Sequence, residues 1–447
     1  MFRRILVANR GEIAARIMRS CAALGIETVV AHSDADHGAP WLEDAAETVC
    51  LGPGRPRESY LCASAVLQAA EQTDCQALHP GYGFLAENGV FAARCEQQGL
   101  TFIGPGAAAI RRMGDKVAAK QTMAEHGLRT IPGSDGILED VEQARRVADD
   151  VGYPVLVKAT AGGGGKGMRR CDDAKDLETG FSEAAIEAQN AFGDASLYLE
   201  KLIEGGRHIE FQVLCDAYGN AVHLGERDCS IQRNHQKLIE ESPSPGLAAA
   251  DRDRIGKRVA QALVASGYVN AGTVEFLQDS DGLLYFMEVN ARLQVEHPVT
   301  EMTTGVDLVE QQIRIAANEP LSFAQDDLRF NGHAIEFRIN AEDVDAGFRP
   351  DPGTISSFTA PDGVAGVRWD SAVRAGYRIP PWYDSMIGKL IVHGGTRDEA
   401  LEQADRALES LAIEGVKTTV GLHRRILADA AFRAGRYDLN RLAEILE

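Results

Sequence analysis

Glu275 and Glu288 are the residues whose placement first suggests chemistry. The segments Thr273–Ser280 and Leu283–Asn290 flank Asp281-Gly282, the favoured dipeptide of a two-residue type I′ hairpin turn. Such a turn pairs Ser280 with Leu283, and counting back along both strands sets Glu275 opposite Glu288. Facing side chains lie about 5 Å apart at Cβ, and like charges there repel. A cation between them removes the repulsion, and hard carboxylate oxygens at that spacing suit Mg²⁺ bridging phosphates. Asn290, two residues further along, shares the face and offers a third oxygen. A register slip, or two glutamates splayed into solvent, is the competing reading. Arg292 and Gln294 continue the same side if the strand persists. Pro298 favours extended backbone at His297, so Glu296 is expected in an irregular segment near the cation, as a candidate base.

A second chemical feature is the run Gly162-Gly163-Gly164-Gly165-Lys166-Gly167. Without side chains, its backbone N–H groups are free to converge on an anion. It is not a P-loop, because Thr160 stands where the first glycine belongs and Gly167 follows the lysine. The run is expected to be a flexible hairpin cap over a nucleotide, with a plain flexible loop as the alternative. Lys158, in the strand Pro154–Ala159 that leads into it, favours phosphate. Further on, His208-Ile209-Glu210-Phe211-Gln212-Val213 alternates polar and apolar, predicting a half-buried strand with His208, Glu210 and Gln212 on one face.

The elements that position these residues follow from periodicity. Ile5–Ala8 reads as a strand. Ile13, Ile17, Cys21 and Leu24 recur at helical spacing until Gly25 ends the helix. Further strands at Thr28–Ala31, Ala77–His79 and Thr101–Ile103 extend a parallel α/β layer to about residue 113. Asn9-Arg10-Gly11-Glu12 has one glycine where a dinucleotide fingerprint needs three, which excludes an NAD fold. A helix is predicted over Lys116–Glu125, a break at Gly133–Gly136 and a strand at Leu197–Ile203. Beyond residue 330 the pattern changes to strands at 333–339 and 354–358 and two terminal helices.

A length of 447 residues implies two to four domains. The net charge of −20 argues against nucleic acid as a partner, although a local cationic pocket can still take a small anion. The eight cysteines form no Cys-x-x-Cys pair, so reduced, mostly buried thiols are expected. Cys75 and His79 are spaced like metal ligands on a helix, but no second pair completes a zinc site. No apolar run matches a bilayer and no signal peptide is read, which points to the cytoplasm.

The motifs together resemble an ATP-grasp ligase and, more narrowly, a biotin carboxylase. They are Met113-Gly114-Asp115-Lys116, Lys158 with its glycine loop, Glu226-Arg227-Asp228-Cys229-Ser230 with Gln232 and His235-Gln236-Lys237, and Glu288–Pro298. Four signature segments agree: Ala8–Ile13, His79–Leu85, Phe337–Asp343 and Tyr383–Lys389. The resemblance implies an α/β and α+β protein with an ATP-grasp fold. Residues 1–113 would form a Rossmann-like parallel domain. Residues 114–329 would form the ATP-grasp domain, with a mobile glycine-rich lid over about 130–203, and residues 330–447 an α+β C-terminal domain.

It also implies roles. Lys116, Lys158, Gly163, Gly164 and Gly165 would hold ATP phosphates. Glu200, Lys201 and Ile203 would form the adenine edge, and His208, Gln232 and His235 would contact the nucleotide. Glu275 and Glu288, with Asn290, would carry Mg²⁺ or Mn²⁺. Lys237, Arg292, Gln294 and the backbone of Val295 would surround bicarbonate, and Glu296 would deprotonate it. Arg338 would stabilise the biotin enolate, with Tyr82 and Asp384 near the biotin pocket. The implied reaction carboxylates biotin through carboxyphosphate, as the first half-reaction of acetyl-CoA carboxylase. No Met-Lys-Met attachment site is present, so the biotin would arrive on a biotin carboxyl carrier protein. Carboxyltransferase subunits and a homodimeric partner are also implied. The biotin carboxylase component of another acyl-CoA or pyruvate carboxylase is one alternative, and a non-catalytic nucleotide-binding subunit is another. Ala161 and Asn234 depart from the family pattern, at the lid hinge and between Gln232 and His235.

Overall fold

The computed structural model describes residues 1–160, 167–361 and 363–447. In chain order its strands are β1 (Arg4–Val7), β2 (Glu27–His32), β3 (Glu47–Cys50), β4 (Ala77–His79), β5 (Thr101–Phe102), β6 (Val155–Ala159), β7 (Met168–Cys171), β8 (Leu197–Lys201), β9 (Arg207–Cys215), β10 (Ala221–Arg233), β11 (Gln236–Ser242), β12 (Asn270–Gln278), β13 (Leu284–Asn290), β14 (His333–Asn340), β15 (Glu342–Asp343), β16 (Arg349–Pro350), β17 (Ser357–Thr359), β18 (Val367–Ser371), β19 (Met386–Gly394) and β20 (Ala412–Glu414).

The first five strands form a parallel sheet in the order β3-β2-β1-β4-β5. The inner parts of β1, β2 and β4 are largely apolar because both faces are covered there, whereas the edge strand β3 is mostly exposed. Ile5, Val7 and Val30 pack with Ile13 and Ile17 of the helix Gly11–Ala23. The alternate residues Leu6, Val29 and Leu78 pack with Val66 and Phe91 from two other helices. Strand order reverses between β1 and β4, where an open α/β sheet ordinarily leaves a ligand crevice. Here Asn9 ties the two strand ends together, donating to the carbonyls of Pro80 at 2.7 Å and Tyr82 at 2.8 Å.

Strands β7-β6-β8 make a small antiparallel sheet. With the helices Val141–Val151 and Ala174–Phe192 it encloses a core of its own, including Ala144, Val157, Leu177 and Leu199. Gly163, Gly164, Gly165 and Ala161 lie outside the described residues.

The largest sheet has eight antiparallel strands in the order β13-β12-β9-β10-β11-β14-β19-β18. It runs without interruption across residue 330, through the pairs Ile239↔Phe337 and Glu240↔Glu336. Strand β9 is buried on both faces, not half-buried. Its polar face meets the charged interior of a site instead of solvent. The expected strand at 354–358 is confined to β17, which pairs with β20. Four terminal helices replace the expected two, and the last pair, Ala430–Arg433 and Arg441–Leu446, are too short for periodicity to reveal. Cys75 and His79 do not share a helix, since His79 ends β4, and all eight cysteines are free, five of them buried. Among the described residues, no helix is long and apolar enough to cross a membrane.

Phe337 is fully buried at the β11–β14 seam, in a cluster with Ile239, Leu390 and Leu401. Phe337→Ala should cost about 3–5 kcal/mol of stability. Urea denaturation followed by circular dichroism should show this as a lower midpoint.

Candidate active site

Glu275 does stand opposite Glu288, but by a different route from the one the turn suggested. The loop is not a two-residue turn. The Asp279 N–H donates to the Leu283 carbonyl at 3.0 Å, and the Asp279 carboxylate accepts from the N–H groups of Asp281 at 3.0 Å and Leu283 at 2.8 Å. An aspartate that satisfies the loop's own N–H groups competes successfully with the Asp-Gly turn. Beside the loop the register is therefore Phe276↔Phe286, Leu277↔Tyr285 and Gln278↔Leu284. A register shift between Glu275 and Phe276 takes up Met287 as an extra residue and restores the facing pair. Without it Glu275 would face Met287.

Strand β9 lies on the other side of β12 and sets Glu210 beside Glu275. Three glutamates thus stand in a row across neighbouring strands. Lys237, near the start of β11, answers this charge. Its ammonium donates to Glu210 Oε2 at 2.6 Å, Glu275 Oε1 at 3.0 Å and Glu296 Oε1 at 2.6 Å. Behind it, Arg227 is wholly buried and donates to Glu210 Oε1 at 2.5 Å and Gln212 Oε1 at 2.9 Å.

Glu296 is also wholly buried. It is the residue preceding the helix His297–Thr304, which has Pro298 in its first turn, and the Glu296 side chain turns away from the helix N–H groups. His297 is therefore helical, not extended, because proline at the start of a helix forfeits no hydrogen bond. Glu296 Oε2 accepts from Arg338 Nη2 at 2.9 Å, and Arg338 Nε donates to Glu240 Oε1 at 2.6 Å. Burial would raise the proton affinity of Glu296, but Lys237, Arg338 and Arg227 reverse the effect and hold its carboxyl well below the usual range.

The neighbouring residues are oriented by contacts around this centre. Burial would lower the proton affinity of His208, but Glu275, 3.0 Å from its Nε2, raises it overall. Gln232 Nε2 lies 2.7 Å from the other ring nitrogen. Burial and then the facing Glu275 push the Glu288 carboxyl up, which is the repulsion expected of the pair. Although β13 ends at Asn290, Arg292 bonds back to Asn290 Oδ1 at 3.0 Å and to Gln294 Oε1 at 2.7 Å. Gln294 in turn donates to Glu275 Oε1 at 3.1 Å, and the Val295 carbonyl accepts from Lys389 at 2.9 Å.

A cavity of about 300 Å³ opens between the small sheet and β13, lined by Lys116, Lys120, Ser134, Tyr198, Glu200 and Phe286. Lys158 reaches Glu200 Oε2 at 2.7 Å, and Lys120 reaches Glu200 Oε1 at 3.5 Å. Burial lowers the proton affinity of Lys116, and Glu288 partly offsets this. The Lys201 ammonium is turned onto the carbonyls of Gly152 and Tyr153, at 2.9 and 2.8 Å. Ile203 is half-buried just beyond β8. His235 stands exposed with Asn234 at the turn between β10 and β11, at φ 66° and 49°. Asn tolerates that left-handed backbone, which gives Asn234 a local reason. The Tyr82 hydroxyl donates to Glu12 Oε1. Asp384 is exposed and accepts from the Met386 N–H at 3.1 Å.

Several residues of the site stand outside the roles that the sequence motifs imply. Glu210 shares the polar face of His208, and Arg227 lies within the Glu226–Ser230 motif, so both carried a signal. Lys120 is one helical turn beyond Lys116. Glu240 and Glu336, a wholly buried cross-strand pair, carried none.

The site can concentrate cations around one carboxylate and offer anions a pocket beside it. Known proteins share the arrangement of the chain. Residues 1–110 match the biotin carboxylase N-terminal domain family, residues 115–324 the carbamoyl-phosphate synthase L chain ATP binding domain family, and residues 336–444 the biotin carboxylase C-terminal domain family. Biotin carboxylase 1 of Bacillus subtilis is 51% identical, over 98% of this chain and 97% of that one. The 2-oxoglutarate carboxylase small subunit of Hydrogenobacter thermophilus is 50% identical, over 99% and 94%. The crystal structure of the biotin carboxylase domain dimer of Hydrogenobacter thermophilus 2-oxoglutarate carboxylase, in complex with MgADP, ADP and bicarbonate, superposes with a TM-score of 0.95 at 49% identity, over 100% of this chain and 99% of that one.

The lowered carboxyls of Glu296 and Glu275 contribute stability that is present above the ordinary carboxylate range and lost as pH falls through their folded values. Lys237→Met removes a principal cause of both shifts. Its acid unfolding midpoint, read by tryptophan fluorescence, should move up by about one pH unit.

Proposed function

This chain belongs to the biotin carboxylase family, and on that basis we propose that it uses ATP and bicarbonate to carboxylate biotin delivered by a separate carrier protein or domain. The enzyme is an ATP-dependent carboxylase of the ligase class. One observation carries the assignment of roles: Glu296 is a wholly buried carboxylate with one oxygen on Lys237 and the other on Arg338. A base must be ionised before it acts, and those two cations keep it so.

Bicarbonate binds among Lys237, Arg292, Gln294 and the backbone of Val295. Its negative charge draws Lys237 and Arg338 partly away from Glu296, which raises the proton affinity of Glu296 where the bicarbonate proton must go. The deprotonated oxygen attacks the γ-phosphorus of ATP, and the bond to ADP breaks. Lys116 and Lys158 stabilise the charge that spreads over the phosphates. Glu275 and Glu288 face each other across β12 and β13 with Asn290 two residues further on, and a cation would relieve the facing pair, so these hard oxygen donors fit Mg²⁺ or Mn²⁺. That ion would supply further charge neutralisation at the phosphates. Carboxyphosphate then releases CO₂ and phosphate, and phosphate takes the ureido proton of biotin. Arg338 cannot lose its proton, which suits it to hold the resulting enolate while it attacks CO₂. His208 and Gln232 orient the nucleotide end, and Tyr82 lines the biotin side.

We further propose that the chain works in the cytoplasm as a homodimer, with a biotin carboxyl carrier protein and carboxyltransferase chains, in an acetyl-CoA carboxylase. Relatives named for pyruvate and 2-oxoglutarate carboxylation align over nearly the same length. Identifying the carrier that co-purifies with the chain decides among these acceptors. The presence of both Glu296 and Arg338 speaks against a non-catalytic nucleotide-binding role.

ADP release should require bicarbonate and be stimulated by biotin, and an equal rate without either would overturn the assignment. Glu296→Gln should lower the bicarbonate-dependent rate by about 10²-fold or more. Arg338→Ala should spare bicarbonate-dependent ATP cleavage more than biotin carboxylation, measured as ADP release against carboxybiotin formed. Equal loss of both would refute its separate role.

A further inference from the structure

Lys389 lies outside the reaction just described, yet its side chain is wholly buried in the middle of β19. Leaving an ammonium there requires partners of opposite character. The obvious one is Asp370, directly opposite on β18, but Asp370 is taken by Arg368 at 2.6 Å and Arg19 at 2.7 Å. Lys389 instead points across the molecule. Its Nζ donates to the Val295 carbonyl at 2.9 Å and lies 3.2 Å from Glu12 Oε1.

Glu12 belongs to the first helix of the parallel layer and is itself buried. The same oxygen, Oε1, accepts the hydroxyl of Tyr82, while Oε2 has no hydrogen-bond partner among the described residues. Tyr82 follows β4 and lies within electrostatic reach of Asp384 and Arg338. One connected path therefore runs from Tyr82 through Glu12 and Lys389 to the Val295 carbonyl. It links the β1–β4 crevice of the parallel layer, the C-terminal strand β19, and the segment carrying Gln294 and Glu296. The crevice where an open α/β sheet would ordinarily bind a ligand is used to brace another site.

We infer that Lys389 is a positioning residue for bicarbonate, holding the Gln294-Val295-Glu296 backbone in place, and that Glu12 connects it to Tyr82 on the biotin side. The inference rests on the biotin carboxylase reading and assigns it a residue pair that does not touch substrate. Lys389 fixes the Val295 carbonyl, and with it the direction of the flanking Gln294 and Glu296 side chains. Glu12 aims the ammonium, and the Tyr82 hydroxyl aims Glu12. Displacing Tyr82 at one end alters the bicarbonate segment at the other.

The test is steady-state ADP release by the full chain, with bicarbonate, ATP and free biotin varied in turn. Lys389→Met should raise KM for bicarbonate about 10-fold or more while KM for ATP changes less than about 2-fold. Lys389→Arg, which keeps the charge, should recover part of that loss. Glu12→Gln leaves the lysine in place and should raise KM for bicarbonate about 3-fold. It decides the matter if Lys389→Met does not fold. Tyr82→Phe should weaken the stimulation of ADP release by biotin. A bicarbonate KM that stays unchanged in Glu12→Gln, or KM values for ATP and bicarbonate that rise together in the Lys389 variants, would overturn the inference. Failure of the wild-type chain to release ADP in response to bicarbonate would instead refute the catalytic reading on which it rests.

Discussion

The charge on Lys237 is what the centre of this molecule depends on. Glu210, Glu275 and Glu296 come from a strand, its neighbour and the residue before a helix, and each directs an oxygen at the same ammonium. Three buried carboxylates without that cation would either take up protons or push their elements apart. With it, they form a site whose groups have divergent proton affinities, which is the condition for base chemistry at neutral pH. Glu296 is held ionised by the cations on both of its oxygens. Glu288 is pushed the other way, because burial and the facing Glu275 outweigh the charge of Lys116.

The continuous eight-stranded sheet makes this concentration of charge possible. Because β11 pairs with β14 across residue 330, Arg338 stands within reach of Glu296 and Glu240. A hinge at that boundary would leave Arg338 on a separate body. The cross-strand pair of Glu240 and Glu336 adds further buried acid at the seam, with the proton affinity of Glu336 raised by burial. The parallel layer contributes differently. Its crevice holds Tyr82 and Glu12, and through Lys389 it supports the backbone at Val295.

The parallel layer was legible because its signals are local and repeated. Apolar strands, the 3.6-residue recurrence of Ile13, Ile17 and Cys21, and the glycine at 25 each act within a few residues. Glu275 and Glu288 were paired correctly through an incorrect turn. The Asp279 loop removed one residue from the register and the shift at Met287 restored it. Neither deviation leaves a periodic trace. His297 misled for a similar reason, since proline is consistent with both an extended neighbour and the first turn of a helix.

The order of residues along the chain was enough to specify the elements and the chemical types at the site: glutamates on an alternating hairpin, lysines beside a glycine run, and motifs in family order. Which opposite charges meet was settled by packing alone. Lys237 could have paired with any acid nearby in sequence, yet it binds Glu210, Glu275 and Glu296. Lys389 passes over the aspartate directly across its strand to reach Glu12. A buried charge is satisfied by whatever opposite charge lies within a few ångströms once the layers have docked. That distance is set by sheet order and helix docking, not by spacing along the chain.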